Sequence, residues 1–263
     1  MNWLVIIVLL NGAFERHALS ARATALSHGI TASCYGVDAV RFNPSALALL
    51  GHNHLSVGYE RTFSGIEGLH NINIGYARPL FHGGLGIQLS EFGFSEQKEQ
   101  AVTLAYGLGF SESFKFGIGG DFYIINNSRT GSSYAYGLNF GLLGKLYRKW
   151  SLGVYGHNIN GPQFGSEDRG ELSAELKAGL AYEPFDGILS EIDFSMKDDN
   201  MRVHLASEFR LFNLLYFRSG VKTNPFVIAA GAGILHKFIS FDYAAEYIPE
   251  LPLSHTATIS FTF

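Results

Sequence analysis

The sequence predicts an all-β protein: a transmembrane antiparallel β-barrel of about fourteen strands with an N-terminal plug segment in its lumen. Three observations carry this. From His54 onward, stretches of about ten residues alternate apolar and polar side chains and are parted by short polar or Gly-containing turns. Mean hydropathy is slightly positive, +0.11, yet no apolar run beyond the N-terminus approaches the roughly 20 residues of a membrane helix. The last and cleanest of the alternating stretches, Ser254–Phe263, ends on an aromatic residue.

The composition agrees with one large domain. Among 263 residues there are 31 Gly and only 7 Pro, aromatics make up 14% and charged residues 16%. A chain mildly hydrophobic throughout, but nowhere continuously so, has placed its apolar residues at alternate positions, as a lipid-facing strand wall requires. The net charge of -4 argues against nucleic acid as a partner. A lone cysteine, Cys34, rules out an internal disulfide framework and a thiolate metal cluster. Thr31-Ala32-Ser33-Cys34 loosely resembles a lipoprotein cleavage site but lies too far from the apolar N-terminus, so Cys34 reads as a small buried residue.

Trp3–Leu10 is a compact apolar run, too short to span a bilayer and of the length of an export-signal core. Residues 1–20 are therefore expected to be a removed signal, with a buried N-terminal strand as the alternative. Ala21-Arg22-Ala23 fits the small-x-small cleavage rule; Ala18 and Ala13 fit it less well. Residues 21–53 follow as the expected plug, the alternative being a periplasmic tail. Helical character is expected at Ala21–Leu26 and at Pro44–Leu50, where Asn43 before Pro44 makes a plausible helix start.

The barrel is expected over residues 54–263. Leu55, Val57 and Tyr59 open the series, followed by Ile72, Ile74 and Tyr76, then Leu85, Ile87 and Leu89. Val102–Phe110, Phe114–Ile118, Tyr134–Leu142 and Trp150–His157 continue it. Ala174–Leu180, Ile188–Lys197, Val203–Leu211, Leu215–Lys222, Phe226–Leu235 and Phe238–Tyr247 lead to the closing strand. Aromatics such as Phe110, Phe114, Tyr147, Trp150, Tyr182 and Phe185 fall near strand ends, as interfacial girdles would. Phe261 and Phe263 on the final strand have the character of an outer-membrane assembly signal.

The opposite faces differ around the ring. From Val102 to Tyr155 they are mostly Gly, Ala, Ser and Thr, which leaves lumen volume that the plug would fill. From Ser173 to Tyr247 they carry both signs of charge: Glu175, Lys177, Glu191, Asp193, His204, Glu208, Arg210, Arg218, Lys222, Asp242 and Glu246. Opposite charges on adjacent strands can pair across the ladder, so this set reads as a bracing network. It also disfavours a wide apolar conduit through that half, because desolvating charges to admit a greasy ligand is costly.

The plug segment carries a family likeness. Ala21-Arg22-Ala23-Thr24-Ala25-Leu26-Ser27-His28-Gly29, then Asp38-Ala39 and Asn43-Pro44-Ser45-Ala46-Leu47, resemble the N-terminal region of the FadL superfamily of outer-membrane barrels. In that family Asp38, Asn43, Pro44 and Ser45 would belong to a plug motif, with Ser45 where the pattern has Ala. Among its branches the chain is most similar to the PorV/PorQ type, and the ending Pro252–Phe261 is similar to their final strand.

The resemblance implies two functions: an accessory barrel acting with outer-membrane or periplasmic protein partners of the type IX secretion route, or a channel for hydrophobic small molecules such as fatty acids. Short predicted loops and the charged lumen favour the accessory reading. A purely structural barrel is a third. In each case outer-membrane lipid is the surrounding partner. No catalytic role, cofactor or metal site is expected: His52, His54, His70 and His82 fall in or beside turns, and no Ser/His/Asp or metal-ligand spacing stands out. Gly117-Ile118-Gly119-Gly120 lies inside a strand and is read as packing, not as a phosphate loop.

Overall fold

The computed structural model describes residues 14, 20–64, 68–129, 131–165 and 170–263. Apart from Phe14 and Ser20, the expected signal over residues 1–20 lies outside the described residues. Fourteen antiparallel strands close into a barrel among them. They are β1 (His54–Arg61), β2 (His70–Leu80), β3 (Gly83–Phe94), β4 (Gln97–Gly109), β5 (Phe114–Asn127), β6 (Gly131–Tyr147) and β7 (Trp150–His157), followed by β8 (Glu175–Phe185), β9 (Ile188–Lys197), β10 (Asn200–Leu211), β11 (Leu215–Lys222), β12 (Val227–His236), β13 (Ile239–Tyr247) and β14 (Ser254–Thr262). Each strand pairs with its sequence neighbours, and β1 pairs with β14 from His54↔Thr262 to Arg61↔His255. Asn53 and Phe263 extend that seam by two backbone hydrogen bonds of 2.8 and 3.0 Å.

Alternation places apolar residues outward and small or polar ones inward, the arrangement a lipid solvent selects. Val57, Ile74, Leu89, Leu104, Ile118, Leu205 and Ile259 are exposed on the outside, while Asn73, Gln88, Thr103, Asn139, Asp193 and Thr258 are buried within. Among the described residues no helix is long and apolar enough to cross a membrane.

At the end where β1 begins, strands are joined by short connections at 81–82, 148–149, 186–187 and 237–238. The opposite end carries the longer ones, including 62–69, 158–174 and 248–253. Bacterial barrels keep their short turns in the periplasm, so β1 begins and β14 ends on the periplasmic side. Phe110, Phe114, Tyr147, Trp150 and Phe185 all lie exposed at that rim, and Trp150 stacks on Tyr182 at 4.2 Å. They form an aromatic girdle at the inner interface.

The largest departure from the expected strand boundaries is in β5. The glycines of Gly117–Gly120 do not end β5, which continues to Asn127 opposite Gly131–Gly144 of β6. Glycine weakens the alternation signal without breaking the ladder. The extension points Asp121 and Tyr123 into the lumen, so that wall is less uniformly small than expected.

Candidate functional site

Most of the chain between Ser20 and Leu50 is buried against the inner faces of the strands, with Tyr35 and Leu49 exposed. Helix α1 (Ala21–Ala25) packs on β11 to β14, helix α2 (Asp38–Phe42) on β3 and β4, and a 3-10 helix, Pro44–Leu49, on β2 to β6. The segment thus touches both halves of the ring and not only the small-residue half. The charged half accommodates α1 because its inward positions include Gly220, Ala229, Gly231 and Ala244.

Glycine explains how a backbone fits so closely. A Cβ on Gly117 would overlap the Pro44–Ser45 peptide, one on Gly153 would overlap Thr31, and one on Gly220 would overlap Leu26 and Ser27. Leu26, Ile30, Val40 and Leu47 of the segment are fully buried. Each contributes about 1.5–3 kcal/mol relative to exposure.

Asn43 anchors the segment. Its amide nitrogen donates to Thr31 O at 2.8 Å and to Leu142 O of β6 at 3.0 Å. Its side-chain oxygen accepts from Ser45 N at 3.2 Å, capping the 3-10 helix, and from the Ser45 hydroxyl at 2.5 Å. Ser45 therefore adds a hydrogen bond that Ala would lack. Pro44 occupies the first helical turn, where its missing N–H costs nothing. Asp38 accepts from Ser20 Oγ at 2.9 Å. Burial holds its carboxyl above the usual range, and Arg22 and Ser20 draw it part of the way back. Cys34 is buried and its thiol is pushed well up by the same cause, which makes it inert.

Replacing Asn43 by Leu leaves two buried carbonyls without their donor and unties Ser45. A loss on the order of 3 kcal/mol or more is expected. It should appear as reduced folding yield in heat-modifiable migration and faster proteolysis; unchanged behaviour in both would refute the anchoring role.

The inward charges group into three sets. Arg22 Nε of α1 lies 3.0 Å from Glu208 Oε2, Arg218 Nε lies 2.5 Å from the same oxygen, and Arg218 Nη1 lies 2.5 Å from Asp242 Oδ1. The alternation Arg–Glu–Arg–Asp joins the segment to β10, β11 and β13. Arg218 reaches past β12 to Asp242 over Gly233, where a Cβ would collide with the carboxylate. Arg22 also lies over the Tyr35 ring at 4.5 Å.

In the second set, wall groups grip the segment's backbone. Asp193 accepts from Thr31 N at 3.0 Å and Thr31 Oγ1 at 2.7 Å, Glu191 accepts from Ala32 N at 2.6 Å, and His204 Nδ1 lies 2.7 Å from Ser27 O. The third set is the looser pair Lys177–Glu175, 3.7 Å apart. Arg210 instead pairs with Asp186 at the periplasmic rim, Lys222 stands opposite His204 in register, and Glu246 is buried opposite Ser254. Phe261 pairs in register with Leu55 and Ile239, and Phe263 closes the seam through its backbone.

A cluster absent from the sequence reading lies across the lumen. Asp121 of β5 accepts from Asn139 Nδ2 at 2.6 Å, and the Tyr123 hydroxyl lies 3.0 Å from it. Arg41 of α2 stands 3.5 Å from Asp121 and 2.8 Å from His157 Nε2. Arginine can only donate, so Nε2 accepts and the neutral ring carries its proton on Nδ1. This cluster ties α2 to β5, β6 and β7.

Towards the extracellular end lies an apolar cluster of Phe14, Ala101, Tyr123, Ala135, Phe164 and Leu172. Phe164 and Leu172 come from the 158–174 connection, folded back by Leu172 N donating to Pro162 O at 2.8 Å. On the periplasmic side are two cavities of about 630 Å³ and 300 Å³, which share Arg22, Tyr35, Glu208, Arg210 and Tyr216.

A closed fourteen-strand barrel with an apolar outer band, an aromatic girdle and periplasmic termini is a bacterial outer-membrane β-barrel. Solved structures of outer-membrane proteins share this fold. The toluene transporter TodX of Pseudomonas putida is similar with a TM-score of 0.73 at 14% identity, over 94% of this chain and 99% of that one. The CymD monoaromatic hydrocarbon channel gives 0.68 at 13% identity, over 95% and 99%. A FadL homologue of Pseudomonas aeruginosa gives 0.63 at 10% identity, over 93% and 98%. No family model matches the chain, and no curated protein does.

Proposed function

We propose that the protein is a non-enzymatic outer-membrane channel for small hydrophobic molecules, with the segment from Ser20 to Leu50 as a plug across its lumen. The observation that carries this reading is the apolar cluster around Tyr123, Phe164 and Leu172, set under the 158–174 connection at the extracellular end of the lumen. A second apolar cluster at the same end, Phe63, Leu69 and Phe92, extends these aromatic surroundings. The likeness in fold to TodX and CymD supports the channel over the accessory reading.

The charged side of the lumen, a difficulty for such a channel when read from sequence, counts less in the structure. Glu208 and Asp242 are balanced by Arg218 and Arg22, and Glu191 and Asp193 are engaged by the plug. Passage proceeds from the aromatic cluster past the plug to the periplasmic cavities, and so requires the plug to shift.

Calorimetry on delipidated protein in a short-chain detergent tests the proposal, with toluene and a long-chain fatty acid as probes. Saturable binding of either, weakened by Phe164→Ala, is the expected result. Absence of saturable binding, together with a co-purifying secretion subunit, would overturn it in favour of the accessory barrel.

A further inference from the structure

We propose that the periplasmic mouth holds a binding site for a small organic phosphate monoester, whose doubly charged head meets a cluster of lysines and whose apolar body lies against the plug. The site stands apart from the aromatic cluster at the other end of the lumen and does not depend on passage through it.

Strand alternation places the charge inside the mouth. Lys115 of β5 shares the inward face with Gly117, Lys145 of β6 shares it with Leu143, and Lys149, just before β7, shares it with Ser151. All three border the cavity of about 630 Å³. The pairing of β6 with β7 shifts between Lys145 and Tyr147, so Lys145 stands opposite Ser151 in the mouth while Tyr147 meets Trp150 in the girdle. Lys115 stands opposite Leu143, one diagonal step from Lys145. Basic groups on the outer face would meet lipid head groups. These face a solute entering from the periplasm.

The cavity is not electrically balanced. Six cations border it, Arg22, Lys115, Lys145, Arg148, Lys149 and Arg210, against three carboxylates, Glu183, Asp186 and Glu208. Glu208 is held by Arg22 and Arg218, and Asp186 by Arg210. No ion pair among the described residues involves Lys115, Lys145, Arg148 or Lys149. Lys115 donates to the Glu112 carbonyl, Arg148 lies over the Tyr147 ring and Lys149 over the Phe185 ring. Glu183 alone faces these four, which leaves a surplus of three positive charges. Like charges on neighbouring strands destabilise a ladder unless an anion offsets them.

The inner end of the cavity supplies the rest. Arg22 borders it from the plug, is 5% exposed, and its Nη1 has no hydrogen-bond acceptor among the described residues. Beside it lie Ala32, Cys34 and Leu49 of the plug and Leu143, Ala181 and Leu189 of the wall. An anionic head thus finds ammonium groups and an unused guanidinium donor, and an apolar body finds aliphatic side chains. The volume is in the range of small-molecule pockets. Lysine binds phosphate as a point charge, and a phosphate monoester carries up to two negative charges at neutral pH where a carboxylate carries one. The charge surplus therefore favours the phosphate.

Calorimetric titration of the full barrel in a nonionic detergent tests the site, with phenyl phosphate, benzoate and inorganic phosphate as probes. Phenyl phosphate should bind saturably and at least about tenfold more tightly than either of the others. Lys145→Gln combined with Lys149→Gln should weaken it at least about tenfold while heat-modifiable migration is kept. Lys237→Gln, which removes a positive charge from another periplasmic turn, should leave it unchanged. Benzoate binding as tightly as phenyl phosphate overturns the doubly charged head. Inorganic phosphate binding as tightly, an adventitious ion only, overturns the apolar seat. No saturable binding, or equal weakening by Lys237→Gln, overturns the site itself.

Discussion

Arg218→Met is expected to lower the stability of the barrel by about 3–5 kcal/mol. The guanidinium lies between Glu208 and Asp242 and its side chain is 2% exposed, so its removal leaves Asp242 buried without that countercharge and Glu208 with Arg22 alone. Urea unfolding of the detergent-solubilised protein, followed by heat-modifiable migration, would measure the loss. The double variant Arg218→Met, Asp242→Leu should recover part of it, because removing a buried pair together costs less than stranding one member. If the single variant unfolds at the wild-type urea concentration, the network does not brace the wall.

Gly117→Val is expected to displace the plug while leaving the wall in place. Its side chain would point inward, into the Pro44–Ser45 peptide, and neither the peptide nor the strand ladder can yield easily. Overpacking of this kind costs about 1–3 kcal/mol or more. The reading is local: trypsin should reach Arg22 and Arg41, both held by partners in the native chain, while the strands stay resistant. Ile118→Val, one residue along and facing lipid, should change neither property. Equal resistance of Gly117→Val and wild type would show that the segment is not seated on that glycine.

The outward half of the structure was legible in sequence because lipid is an undiscriminating solvent. It asks only for apolar side chains at every second position, and that pattern fixes both the strands and their number. The inward half follows another logic. Each lumenal residue answers to a partner distant in sequence, and alternation does not name the partner. Glu208 could be assigned to a charged face, but its sharing between Arg218 and Arg22 required the fold. Asp121 and Tyr123 were lost because β5 passes through Gly119-Gly120, where alternation falls silent.

A signal for the missing cluster did exist. Arg22 and Arg41 stand in a stretch otherwise composed mainly of small, apolar and uncharged polar residues, and a buried arginine demands a buried acceptor. Asp38 and Asn43 were singled out by resemblance, which supplied their importance but not the reason for it. The reason is the pair of carbonyls, Thr31 O and Leu142 O, that Asn43 joins.

The glycine seats also constrain the order of assembly. Those shaped to the segment's backbone, Gly84, Gly107, Gly117, Gly153 and Gly220, lie on β3, β4, β5, β7 and β11. A ring that sealed at the β1–β14 seam while empty would present these hollows to water, and the segment could then enter only through the periplasmic mouth. The segment runs directly into β1 through Asn53, whose backbone meets Phe263 at that seam. The last stitch of the wall is therefore tied to the thread that fills it.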